Sequence, residues 1–154
     1  MIAVDTNILV YAHRQDSPWH AQAAARLREV AEGNASWAIP WPCIHEFLSI
    51  VTHPRIYSPP TEAQRALDQV NDWLLAPTLV PIGETGAYWE VLQRLIKNAK
   101  IVGPRVHDAR VAAICIHHHV TELWTADRDF SRFPGVFARN PLVPSPWRAA
   151  ESRV

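Results

Sequence analysis

The chain has 154 residues, 48% hydrophobic and 19% charged, which suits one domain with a sizeable core and excludes an intrinsically disordered chain. Fifteen basic and fifteen acidic residues cancel, which excludes a protein that coats nucleic acid by net charge alone but leaves room for a nuclease with a local charge pattern. No apolar run approaches the ~20 residues of a membrane helix, and no basic stretch precedes the first apolar run, so neither a membrane span nor a secretory leader is expected.

Ile2-Ala3-Val4 with Asp5 reads as a short buried strand, and Thr6 or Asn7 is placed to cap a short helix after it. Ser17-Pro18 starts a helix running to about Gly33. Trp37-Ala38-Ile39 is a second strand, stopped by Pro40 and Pro42, and a helix follows from Cys43 to Thr52. After a Pro59-Pro60 loop, Thr61 caps a helix that ends near Leu75. Leu79 to Ile82 is a third strand, followed by a helix from Thr85 to Lys97 and a break at Gly103-Pro104. A helix bearing Asp108 runs to about His118; residues 123–125 form a fourth strand and Val136-Phe137-Ala138 a fifth. Alternating strands and helices predict an α/β fold with a mostly parallel sheet covered on both faces. Cys43 and Cys115 fall in apolar helical contexts and read as buried free thiols of a reducing cytoplasm.

Four acids occupy unusual places. Asp5 ends the first strand, Glu46 lies in a helix apolar on more than one side, Asp108 opens an apolar helix, and Asp127 follows the fourth strand. Asp108 shares the i, i+3, i+4, i+7 stripe with Val111, Ala112 and Cys115, although a helix-start acid can also turn outward. Glu46 fits a pocket or the surface equally well. Asp5 read alone is a cap, and Asp127, like Asp129 beside it, a turn acid. Ligands of parallel sheets bind beyond the carboxyl ends of the strands, so Asp5 and Asp127 are predicted to meet there. Acids gathered at the ends of buried elements need neutralising, because isolated buried charge is costly, and a divalent metal would do it.

The segments Val4-Asp5-Thr6-Asn7-Ile8-Leu9-Val10, His45-Glu46-Phe47, Val106-His107-Asp108-Ala109-Arg110 and Trp124-Thr125-Ala126-Asp127-Arg128-Asp129-Phe130 resemble, in order and spacing, the PIN-domain ribonucleases, and more narrowly the VapC-type toxins of type II toxin–antitoxin systems. The resemblance covers residues 2 to about 142, which suggests a single domain over 1–142 and a C-terminal tail over 143–154. It implies a three-layer α/β/α sandwich with four to five strands. It also implies a cytoplasmic endoribonuclease that cuts a structured RNA, such as a tRNA or rRNA loop, with metal-activated water. The implied metal, Mg²⁺ or Mn²⁺, is held by Asp5, Glu46, Asp108 and Asp127. Thr6, Asn7 and Thr125 match supporting polar residues, and Asp129 is a second candidate for the fourth acid. A homodimer and a complex with a cognate VapB-type antitoxin are implied as well.

Arg110, Arg128 and Arg132 lie near the acids and read as contacts to RNA or antitoxin, or as plain salt bridges. His45 and His107, beside motif acids, read as packing or rim residues. His117-His118-His119 point about 100° apart on a helix and do not chelate one ion. Trp19, Trp41 and Trp89 fit either the core or a groove that takes up antitoxin side chains or RNA bases. Two other functions compete. A dehalogenase-like phosphohydrolase would carry a second Asp where Asn7 stands. A catalytically silent partner-binding module of the same fold has no reason to keep four acids together.

Overall fold

A computed structural model of the chain describes residues 1–144. Five strands, β1 (Ile2–Val4), β2 (Trp37–Pro40), β3 (Leu79–Ile82), β4 (Glu122–Trp124) and β5 (Ala138–Arg139), form one sheet in the order β3-β2-β1-β4-β5. Every pairing is parallel, so the mostly parallel sheet expected from the sequence is wholly parallel. Six helices connect the strands: α1 (Thr6–His13), α2 (His20–Glu32), α3 (Trp41–Val51), α4 (Ala63–Leu74), α5 (Tyr88–Asn98) and α6 (Arg105–His117).

The strand order fixes the layers. From β1 the chain steps outward to β2 and then β3, so right-handed crossovers put α1 to α4 on one face. It then returns across the sheet to β4, which sends α5 and α6 to the other face. The packing agrees: α1 meets α2 and α3, α3 meets α4, and α5 meets α6. This is a three-layer α/β/α sandwich. The direction of winding reverses between β1 and β4, and the crevice beyond their carboxyl ends is where such sheets bind ligands.

The core has the apolar runs the fold needs. β2 is buried throughout, with Trp37 and Ile39 inside, and α6 buries Ala109 and Val111 to Cys115 on nearly every side. A helix enclosed in this way lies between sheet and neighbours, not on a solvent face. Cys43 and Cys115 are buried free thiols, as expected.

Several boundaries differ from the sequence reading. Asp5, not Thr6 or Asn7, caps α1: its backbone is extended and its side chain accepts the Thr6 N–H. The helix expected from Ser17-Pro18 begins at His20. Pro40 is the last residue of β2 and Pro42 lies in the first turn of α3, where a missing N–H costs nothing, so neither is a break. Thr61 does not cap α4; Glu62 holds that position, and Thr61 gives its N–H to the Val51 carbonyl. The fifth strand is Ala138–Arg139, two residues beyond the expected start, because pairing with Leu123 and Trp124 sets its register. Residues 145–154, most of the expected tail, lie outside the described residues.

Candidate active site

Asp5 follows β1 and Thr125 follows β4, and the parallel register that pairs Val4 with Trp124 sets them side by side. The Thr125 hydroxyl donates to Asp5 Oδ2 at 2.8 Å, and Asn7 Nδ2 donates to the same oxygen at 3.2 Å. The Thr6 N–H and the Cys43 thiol donate to Asp5 Oδ1, at 2.8 and 3.4 Å. Asp5 is 6% exposed and has no cationic partner among the described residues. Burial drives its carboxyl from 3.8 up to about 6 against the pull of these donors, and the Glu46 charge adds to the rise. Burial and the Asp5 charge also push Cys115 up to about 12 and raise Cys43 well above the ordinary thiol value, so both thiols stay protonated donors or core groups.

Asn7 and Thr125 tie the two loops together. Asn7 Nδ2 also donates to Thr125 Oγ1 at 3.1 Å, while Asn7 Oδ1 accepts the Ala126 N–H at 2.9 Å. Thr125 Oγ1 accepts the Asp127 N–H at 3.0 Å, which orients the Asp127 backbone. Thr6 Oγ1 donates to Glu46 Oε2 at 2.9 Å, linking α1 to α3. Thr6, Asn7 and Thr125 thus all hydrogen-bond to one or more of the acids.

The four acids line one open cleft of about 720 Å³, together with Thr6, Asn7, His45, Arg105, His107 and Arg110. Asp5 comes from the β1–α1 junction, Glu46 from α3, Asp108 from the first turn of α6, and Asp127 from the loop after β4. Burial raises the carboxyl of Asp108, and the charges of Asp127, Glu46 and Asp129 raise it further, with Arg105 opposing. Asp127 accepts the Asp129 N–H at 2.8 Å and caps the short 3₁₀ turn Arg128–Arg132. Asp127 lines the cleft, whereas Asp129 is exposed and does not.

The premise of buried charge holds for Asp5 alone. Asp108 and Asp127 are half-buried and Glu46 is exposed. The apolar residues around Glu46 in sequence pack elsewhere, and Glu46 faces the cleft from its solvent side. Burial is the larger cost at Asp5 and Asp108, and repulsion from the neighbouring acids adds to it. All four donors offer hard oxygen, which suits Mg²⁺ or Mn²⁺. Among the described residues no three His, Cys, Asp or Glu side chains close into a ready-made cage; Mg²⁺ keeps several waters and needs only one or two direct carboxylates, so the donor set fits it.

Other expectations fall on either side. Arg110 lines the cleft and pairs with Glu84. His45 and His107 are exposed at the rim, and Trp41 lies 6.2 Å from the His45 ring. Trp19, Trp41 and Trp89 are all exposed rather than core. His118 Nε2 bonds the Gly83 carbonyl at 2.9 Å where α6 ends. The sequence reading missed Arg105, which stands one helical turn before Asp108; that i, i+3 spacing was the available signal.

A family model described as PIN domain matches residues 2–136. Ribonuclease VapC48 of Mycobacterium tuberculosis is 30% identical over 138 residues, covering 90% of this chain and 95% of that protein. The chain belongs to the PIN-domain family, on its VapC branch. Among solved structures, VapBC2 from Rickettsia felis, bound to a DNA fragment from its promoter, matches with a TM-score of 0.67 at 21% identity, covering 90% of this chain and 98% of that one. VapC20 of Mycobacterium tuberculosis, described as a Sarcin-Ricin loop cleaving toxin, matches with a TM-score of 0.63 at 15% identity, covering 85% and 93%. At those identities the two structures speak to the fold alone. No helix among the described residues is long and apolar enough to cross a membrane.

Proposed function

We propose that this chain is a divalent-metal-dependent endoribonuclease, the toxin of a type II toxin–antitoxin pair, acting in the cytoplasm on a structured RNA such as a tRNA or rRNA loop. The observation that carries the reading is the cleft itself: four acids from four separate elements converge beyond the switch point of the sheet, and among the described residues none of them forms an ion pair. Relatives named VapC ribonucleases, matched over nine-tenths of the chain, support the activity. Structural neighbours that are toxin–antitoxin complexes support a VapB-type antitoxin as partner. The homodimer rests on the family resemblance.

Asp5, Glu46, Asp108 and Asp127 would hold Mg²⁺ or Mn²⁺, which when bound supplies charge stabilisation at the phosphate and a more acidic water. The chain's own groups do the positioning. Thr125, Asn7 and the Thr6 N–H hold both oxygens of Asp5, so that carboxylate has one orientation. Thr6 engages Glu46 Oε2 and leaves Oε1 to the cleft. Arg105 and Arg110 line the same wall, where guanidinium groups meet phosphate oxygens in pairs. The exposed Trp41 beside His45 offers a face for an unstacked base. A silent binding module of this fold would not need Asp5 to remain buried without a counter-charge.

The test is induced expression of the wild-type chain and Asp5→Asn, with RNA from both cultures mapped for new 5′ ends. Growth arrest with a few discrete cuts, absent in the variant, is expected. Folded wild-type protein that produces no arrest and no new ends would overturn the reading.

A further inference from the structure

We infer that the cavity on the far side of Asp127, flanked by Arg128, Ser131, Arg139 and Asn140, binds the sugar–phosphate backbone of RNA nucleotides adjoining the one that is cut. The inference rests on the ribonuclease reading above and names a second subsite for it.

The cavity, of about 420 Å³, lies against the carboxyl ends of β4 and β5 and shares Asp127 with the catalytic cleft. A strand leaving the cleft past Asp127 enters it directly. Electrostatics makes such a subsite necessary. The cleft presents four acids to a polyanion, so the phosphates on each side of the reacting one need cations. Arg105 and Arg110 supply them on the α6 side. Arg128 and Arg139 are the basic residues that line the cavity on the other.

The groups there are donors with capacity to spare. The Arg128 side chain makes no hydrogen bond or ion pair among the described residues and is exposed. Arg139 gives Glu122 only Nη1, at 3.3 Å. Asn140 accepts the Leu142 N–H on Oδ1 at 3.0 Å, which leaves its amide NH₂ to donate. Among the described residues no aromatic side chain lines the cavity, and Ala126, Ala138 and Val143 supply its apolar part. Stacking on bases calls for aromatic rings, and base edges call for mixed donors and acceptors. A set of guanidinium and amide donors suits phosphate oxygens, which position a strand without reading its sequence.

The test uses the full chain in EDTA, so that binding is measured without cleavage, and a 5′-fluorescein uridine decamer read by fluorescence anisotropy over a salt series. Arg128→Ala should weaken binding about tenfold and reduce the slope of log affinity against log salt by about 0.7, the value for one phosphate contact on a single strand. Ser131→Glu, at an exposed position, should weaken it in the same direction by placing a negative charge in the cavity. Cleavage of total RNA by wild-type protein with Mn²⁺ is run alongside. Wild type that binds and cuts, with both variants unchanged in affinity and slope, overturns the subsite and leaves the nuclease. Wild type that neither binds nor cuts overturns the ribonuclease reading and the subsite with it.

Discussion

Two polar clusters are built into this molecule, and they are assembled on opposite rules. At the C-terminal end of α1, His13 Nδ1 meets Gln69 Oε1 and Nε2 meets Thr61 Oγ1, both at 3.1 Å, while the His13 ring packs edge-on against Phe47. Arg14 there donates to Thr61 Oγ1 at 3.2 Å, forks onto both carboxylate oxygens of Asp16 and covers the Tyr57 ring. Each charge has its opposite and each ring nitrogen its partner. In the acidic cleft the four acids form no ion pair among the described residues, although Arg105 and Arg110 stand on its wall. Polar groups that satisfy one another specify a fold; polar groups left short of a cation anticipate a ligand.

The sharpest way to break this comparison is to remove one side chain's polar function from each cluster. Asp108→Asn should lower RNA cleavage by at least ~10²–10³-fold, the scale seen when one electrostatic group is taken from a reacting centre. The same change should raise the thermal midpoint of the metal-free protein, because it relieves repulsion from Asp127, Glu46 and Asp129. A parallel loss of stability and activity would show that Asp108 is structural. Differential scanning calorimetry with a single-turnover cleavage assay separates the two outcomes.

The next effect depends on pH. Asp5 titrates near 6 in the fold against 3.8 for an ordinary aspartate, chiefly through burial. Its folded pKa is raised, so the stability it contributes is full below pH 4 and lost as pH rises through 6. The resulting cost to the metal-free fold at neutral pH is ~3 kcal/mol. A divalent ion offsets that cost only when Asp5 is ionised. Millimolar Mg²⁺ should therefore raise the thermal midpoint clearly at pH 7.5 and hardly at all at pH 5. An equal rise at both values would remove Asp5 from the metal site.

The smallest effect is at the other cluster. His13→Ala loses two hydrogen bonds and the contact with Phe47, which should cost ~2–3 kcal/mol of stability in a urea titration. Cleavage per folded molecule should not change. A fall in the catalytic constant at full folding would mean that the two clusters communicate.

The sequence disclosed the acidic cluster better than the one around His13. Asp5 and Asp127 were legible as neighbours because strand ends and parallel pairing are read from local pattern, and Leu79–Ile82 was legible for the same reason. His13, Thr61 and Gln69 sit 48 and 56 residues apart, and nothing local says that they touch. Thr61 looked like a cap because capping is a local rule; a tertiary partner took the hydroxyl instead. Burial was misjudged at Glu46 because one helix does not reveal what stands opposite it. β5 was displaced because two residues carry little pattern and their register is imposed by β4. Arg105 was overlooked although helix spacing alone relates it to Asp108.

The position of β1 has a consequence in time. It is made before the other four strands yet sits in the middle of the sheet, and Asp5 finds its Thr125 partner 120 residues later. At ~5–20 residues per second that interval is about 6–24 s, during which the nascent chain holds Asp5 without the strand that completes its surroundings. The four acids therefore come together only after β4 is made, and a chain broken off before β4 carries three of them on a sheet that lacks the strand leading to Thr125 and Asp127.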